Sequence, residues 1–180
     1  MVTEQLLAGG WLPDPIVRFG ARRAIRTRLL QQMAAGQAGQ DAWLASLRHE
    51  AIERFAALGF PTSRHEEWKY TSVLPLARGG FRPANGSAPA AADLSGLEIP
   101  GWECAQLVFV NGTFAPQLSR LDPLPGEVSA GSLASALETV PGDLEPHLAR
   151  HAPFQGQAFT ALNTAFLRDG AFVRIPAGLE

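Results

Sequence analysis

The sequence predicts an α+β fold in which a helical amino-terminal part precedes a β-hairpin, short helices and a final strand. Three observations lead to this class. Apolar residues recur at helical spacing as far as Leu58, and the pair Asn111-Gly112 separates two short runs of β-forming residues. The 180 residues also include 18 Gly and 14 Pro, which places much of the chain in turns and argues against a wholly helical bundle.

The composition and charge narrow the classes of function. A formal net charge of -2 gives no global field that gathers nucleic acid or an anionic membrane. Cys104 is the only cysteine, so an internal disulfide is impossible and nothing indicates a secreted scaffold. The first residues lack the pattern of a signal peptide, and no apolar run reaches membrane-spanning length. We therefore expect a cytoplasmic protein without nucleic-acid or membrane partners.

The first predicted helix begins at Asp14 and Pro15 and runs to about Ala35. Its buried face recurs about every four residues, with Leu30 beside it: Val17, Ala21, Ile25, Leu29 and Met33. Its remaining surface is basic and carries Arg18, Arg22, Arg23, Arg26 and Arg28. This surface leaves a binding module for RNA, lipid or an acidic partner open. A solvated face is the simpler interpretation, because no aromatic residues are interleaved with the arginines.

Asp41 caps a second predicted helix. Its apolar face follows the helical period and is widened by Trp43 and Ile52: Leu44, Leu47, Ala51, Phe55 and Leu58. Because the loop at residues 36–40 is short, we expect the two helices to pack as an antiparallel pair.

Residues 59–71, here called the corner segment, should turn the chain. Gly59 stands where a helix C-cap belongs, and Pro61 prevents the helix from continuing. Ser63 and Glu66 have the spacing of a capping box, which predicts a new helical turn.

Two interpretations of the charged and aromatic part of the corner segment remain open. In the first, Trp68 and Tyr70 fill the core while Glu66, Glu67 and Lys69 stay in solvent. In the second, the chain is a small hydrolase or transferase that uses one of the two glutamates as a general base, with Lys69 or His65 nearby. The second interpretation requires the carboxylates to face a pocket.

The middle of the chain carries one strong β signal. Val73, Leu74 and Leu76 indicate a brief extended piece, and residues 82–100 form a low-complexity loop. Residues 106–114 predict a hairpin, because Asn-Gly supplies the two positive-φ positions of a type I′ turn. Cys104 should pack as a small apolar residue rather than serve as a catalytic or metal-binding thiol.

The last third predicts three short helices and a strand. The helices begin at Ser132, span residues 143–150, and span residues 157–168 with Gly170 as a C-cap. His147 and His151 share a helical face with Asp143, which is half a metal site, although surface histidines are the simpler interpretation. Residues 171–176 predict a β-strand that the chain ends before pairing.

Three separated segments resemble the amino-terminal region of SufD, within the SufB/SufD family of iron-sulfur cluster assembly proteins. The first is Gly-Phe-Pro-Thr at residues 59–62 followed by an arginine, an acid pair and Trp-Lys-Tyr-Thr at residues 68–71. The second is the hairpin segment, residues 107–119, and the third comprises residues 158–166 and 169–178. Together they cover about half of the chain in the family's order.

The resemblance implies a non-catalytic scaffold rather than a free-standing enzyme. It implies a helical cap that leads into a right-handed parallel β-helix, of which this chain holds the first strand. SufB-like and SufC-like subunits would be the partners, through parts of the protein beyond this chain. The Fe-S cluster would be handled by the whole complex, with no catalytic, cofactor or metal residue here. The family signature, to which we assign a structural role, is Pro61, Arg64, Glu66, Glu67, Trp68, Lys69, Tyr70 and Thr71.

These observations divide the chain into four segments. Residues 1–81 form the helical region, residues 82–100 a flexible Ala/Pro/Gly loop, and residues 101–178 the hairpin, short helices and start of the β-helix. Since the last strand stops soon after it begins, we interpret the chain as truncated and residues 179–180 as candidates for vector-encoded residues.

Overall fold

A computed structural model describes residues 27, 29–31, 41–78, 94, 96, 101, 104–122 and 124–179. It is a mixture of helices and small antiparallel sheets, which confirms the α+β class. The chain divides into two compact units that do not follow chain order. The first unit joins Met1–Pro83 to Leu148–Phe166, and the second joins Ala84–His147 to Leu167–Glu180. The four segments expected from the sequence stay a prediction.

The first unit is built on helix α1, Ala42–Leu58. Asp41 occupies its N-cap position without a capping side-chain bond, and Gly59 ends it. One face of the helix is buried and consists of Leu44, Arg48, Ala51, Ile52 and Phe55. This stripe confirms the second predicted helix and adds Arg48, a charged residue that lies one turn from both Leu44 and Ile52.

In the described residues, α1 packs against helix α5, Ala158–Ala165. Their shared core contains Ala51, Ile52, Phe55, Phe154, Ala161 and Ala165. Arg54 adds a hydrogen bond from its Nε to the Gln155 carbonyl oxygen, just ahead of α5. Of the first predicted helix, Thr27 and residues 29–31 are helical, and Leu29 and Leu30 pack against this core. Its other apolar residues and its arginines lie outside the described residues, as does the expected antiparallel pairing.

The extended piece predicted after the corner segment is wrong, because Leu74–Arg78 forms a short helix, α2. Pro75 sits in its first turn, where a missing N–H costs nothing and the fixed φ favours a helix. The Ser72 hydroxyl accepts a hydrogen bond from the Leu74 N–H at 3.4 Å. Val73 is buried, whereas Leu74 and Leu76 are exposed. The predicted loop at residues 82–100 lies outside the described residues, apart from 94 and 96.

The second unit begins with the predicted hairpin, which is confirmed. Strand β1, Phe109–Val110, pairs antiparallel with β2, Thr113–Phe114. Asn111 and Gly112 have φ angles of 50° and 78°, the two left-handed positions that a type I′ turn requires. A separate antiparallel bridge joins Gln106 and Arg120 outside these two strands.

A second small sheet contains β3, Ser129–Ser132, and β4, Ala171–Arg174, paired antiparallel. The expectation that the final strand remains unpaired is therefore wrong. Helix α3, Leu133–Thr139, follows β3 directly, and its N-cap Ser132 accepts a hydrogen bond from the Ser135 N–H. That cap confirms the helix predicted to begin at Ser132.

Two predicted helices have different bounds in the structure. Helix α4 is only Pro141–Leu144, followed by turns, and Ala149 has a φ of 59° that no right-handed helix accommodates. Helix α5 ends with Phe166 at its C-cap rather than at Gly170. The Gly170 carbonyl oxygen instead accepts from the Leu133 N–H, so this residue belongs to the connection into β4. Among the described residues, no helix has the length and apolar character required to cross a membrane.

Candidate functional site

The backbone of the corner segment follows from a few local contacts. Gly59 has a φ of 69°, and its N–H donates to the Phe55 carbonyl oxygen at 2.7 Å, so the predicted C-cap is confirmed. Pro61 is buried. The Thr62 N–H donates to His65 Nδ1 at 3.0 Å, and the His65 N–H donates to the Thr62 carbonyl oxygen at 2.9 Å. This reciprocal pair closes the turn.

The predicted capping box of Ser63 and Glu66 is wrong. The helical turn is a single 3-10 turn, Glu66–Trp68, whose N-cap residue is His65. No side chain caps it, although Glu66 and Glu67 stand in its first turn. The turn begins two residues later than the sequence spacing indicates, and the N-cap residue His65 uses its imidazole to accept the Thr62 N–H.

Four aromatic rings, here called the aromatic row, fix the corner segment to α5: Phe55, Phe60, Phe159 and Trp68. Phe60 meets Phe55 edge to face, with ring centroids 5.1 Å apart and planes at 85°. Phe159 lies 6.0 Å from Phe60 and 5.1 Å from Trp68. Such offset and edge-to-face ring pairs stabilise the fold by more than the burial of their apolar surface alone. Trp68 therefore anchors the corner segment through its contact with Phe159, although its side chain is only half-buried.

The other aromatic residue of the signature behaves differently. Tyr70 is 91% exposed, so the expectation that it fills the core is wrong. Lys69 lies 5.4 Å from the centre of its ring and 4.0 Å from the Glu66 carboxylate. Both contacts are in solvent, where such pairs contribute little. Beyond Tyr70, Leu74 and Leu76 are 49% and 46% exposed, so apolar surface continues past the corner segment.

The signature thus separates into two groups by exposure. Pro61 is buried and Trp68 is half-buried. The remaining six side chains are exposed: Arg64, Glu66, Glu67, Lys69, Tyr70 and Thr71. His65 is exposed as well. The general-base alternative needs carboxylates that face a pocket, and the exposed positions of Glu66 and Glu67 do not meet that requirement.

Among the described residues of the second unit, the Asp169 side chain accepts four hydrogen bonds, and sequence reasoning missed this role. Its Oδ2 accepts from the Phe114 N–H at 2.7 Å. Its Oδ1 accepts from the Ser132 hydroxyl at 2.8 Å, the Ala134 N–H at 3.1 Å and the Gly170 N–H at 2.8 Å. The carboxylate therefore joins β2, the first turn of α3 and the start of β4. We call these bonds the Asp169 clamp.

The hydrogen bonds also decide the charge state of Asp169. Burial acts to raise the pKa of this carboxyl, because it disfavours the charged form. The bonds from the Phe114, Ala134 and Gly170 N–H groups and from the Ser132 hydroxyl favour the ionised form and outweigh burial. The pKa of Asp169 therefore lies below its ordinary value of 3.8, and the clamp carries a negative charge at neutral pH.

Comparison with known proteins places this arrangement in a family. Residues 29–180 match the family model for the SufBD protein N-terminal region. The chain belongs to the SufBD family. This match includes the corner segment, the hairpin and the Asp169 clamp, and it confirms the resemblance noted from the three sequence segments.

A SufBD relative supports the same assignment. An iron-sulfur cluster assembly SufBD family protein of Synechocystis sp. is 29% identical over 151 residues, which are 84% of this chain. The chain spans 33% of the length of that relative. No solved structure matches the chain significantly.

The metal-binding candidates of this SufBD chain are Cys104 and the histidines His147 and His151. Cys104 is exposed, so the expectation that it packs as an apolar residue is wrong. His147 and His151 are exposed, as expected of surface histidines, and the helix predicted to align them ends at Leu144. Within the described ranges, no group of three or more His, Cys, Asp or Glu residues is arranged to hold a metal ion.

Proposed function

We propose that this chain is the amino-terminal part of a SufD-like, non-catalytic scaffold component of the Suf complex for iron-sulfur cluster assembly. The observation that carries the proposal is the match of residues 29–180 to the SufBD N-terminal region. The name of the Synechocystis relative points to the same process. The exposure of Glu66 and Glu67 favours a surface role for the signature over general-base chemistry.

In this proposal the chain contributes architecture, and other parts of the complex handle the cluster. A cluster held by this chain alone needs several thiolates, and the sequence has one cysteine, Cys104. SufB-like and SufC-like subunits are the proposed partners, bound through parts of a longer protein. A right-handed parallel β-helix is the proposed continuation after β4. We place the protein in the cytoplasm, without membrane or nucleic-acid partners.

The proposal can be tested on the purified 180-residue chain. We expect a colourless protein that binds no stoichiometric iron after anaerobic incubation with iron and sulfide, and that hydrolyses no ATP. The measurements are the visible absorption spectrum, iron content per chain and phosphate release. A brown protein with a visible charge-transfer band would contradict the assignment of the cluster to the whole complex.

Partner choice tests the SufD-like part of the proposal. The longer protein that contains this chain should co-purify with a tagged SufB-like subunit, and a SufC-like subunit should join that pair. The 180-residue chain alone, at equal concentration, is the control and should be lost in the wash. If the longer protein instead pairs with a SufD-like subunit and not with a SufB-like one, it is not SufD-like.

A further inference from the structure

We draw no further inference here: the strongest candidate, the exposed apolar surface formed by Tyr70, Leu74 and Leu76 at the end of the corner segment and in α2, carries nothing because no feature of the described residues shows what covers it.

Discussion

The Asp169 carboxylate receives donors from three separate parts of the second unit, and its oxygens share them unequally. Oδ1 takes three donors and Oδ2 takes only the Phe114 N–H. An asparagine has one oxygen, so its NH₂ group must face at least one donor in either orientation. A hydrogen bond to a charged group contributes more to stability than one between neutral groups. A buried N–H that loses its acceptor lowers stability by more than the lost bond contributed.

Asp169→Asn should therefore lower the free energy of unfolding by about 1 to 3 kcal/mol. Urea denaturation of the 180-residue chain measures this difference. The matched control is Asp143→Asn, which removes an exposed pair with Arg174 at 3.4 Å in the same unit. That variant should change stability by less than about 0.5 kcal/mol. Equal losses of unfolding free energy in the two variants would show that the Asp169 clamp stabilises the fold no more than an exposed ion pair does.

The Asp169 carboxylate also makes the free energy of unfolding depend on pH in the acid range. Because the pKa of Asp169 is lower in the folded chain than its ordinary 3.8, the clamp stabilises the fold at every pH well above that value. Its contribution should fall as pH drops through 3.8 toward the folded pKa. The difference in unfolding free energy between wild type and Asp169→Asn, measured from pH 7 to 3, should be constant above about pH 5 and shrink below pH 4. A constant difference down to pH 3 would contradict the lowered pKa.

The distances along the chain explain why Asp169 escaped sequence analysis while other single residues did not. Its donors Phe114 and Ala134 are 55 and 35 residues away, and no local pattern records such a pairing. Gly59 and Ser132 were predicted correctly, since a C-cap and an N-cap depend on neighbours within one helical turn. Tyr70 was misplaced, because aromatic residues in the same short segment can differ in burial, and only the fold shows which one meets Phe159.

Among the helices and strands, those whose formation depends on nearby residues were predicted correctly. Helix α1 and the β1–β2 hairpin were found because an apolar period and an Asn-Gly turn are each sufficient by themselves. The helical state of α2 and the bounds of α4 and α5 were missed. Val73 is buried by tertiary packing, Ala149 adopts a left-handed backbone, and Gly170 bonds to Leu133 across the sheet. The spacing of apolar residues in the sequence reveals none of these three features.

The aromatic row is the element-scale feature that holds the corner segment in place. Phe159 contacts both Phe60 and Trp68, so Phe159→Ala removes two ring pairs at once. We expect a loss of about 2 to 4 kcal/mol in unfolding free energy, below the largest values for aromatic truncation because Phe159 is only half-buried. Thermal and urea unfolding measure the loss.

Tyr70→Ala is the control for Phe159→Ala, since it deletes an exposed aromatic ring of the corner segment that makes no contact within the aromatic row. Its effect should stay within about 0.5 kcal/mol. A loss at Tyr70 that matches the loss at Phe159 would contradict the structural division of the signature into anchored and exposed residues.

For the whole molecule, the order of elements along the chain differs from their grouping in space. The first unit takes α1 from the first third of the sequence and α5 from the last third. Both helices were predicted from the sequence, together with a pairing of α1 with the preceding helix that lies outside the described residues, but the packing of α5 against α1 was not foreseen. Helical periodicity shows which face of a helix is buried but not which partner covers it. Family membership, in contrast, was accessible because three short segments kept their order along the chain.

This grouping makes α1 depend on a helix about a hundred residues away. Ala161 is completely buried in the core shared by α5 and α1, so Ala161→Glu places an unpaired carboxylate against Ile52 and Phe55. An uncompensated buried charge costs about 3 to 5 kcal/mol, enough to open the contact. Hydrogen-exchange mass spectrometry should therefore show faster exchange in peptides from residues 42–58. Asn163→Glu, on the exposed face of the same helix, should leave those peptides protected. Unchanged exchange of α1 in the Ala161→Glu chain would mean that α5 does not complete its core.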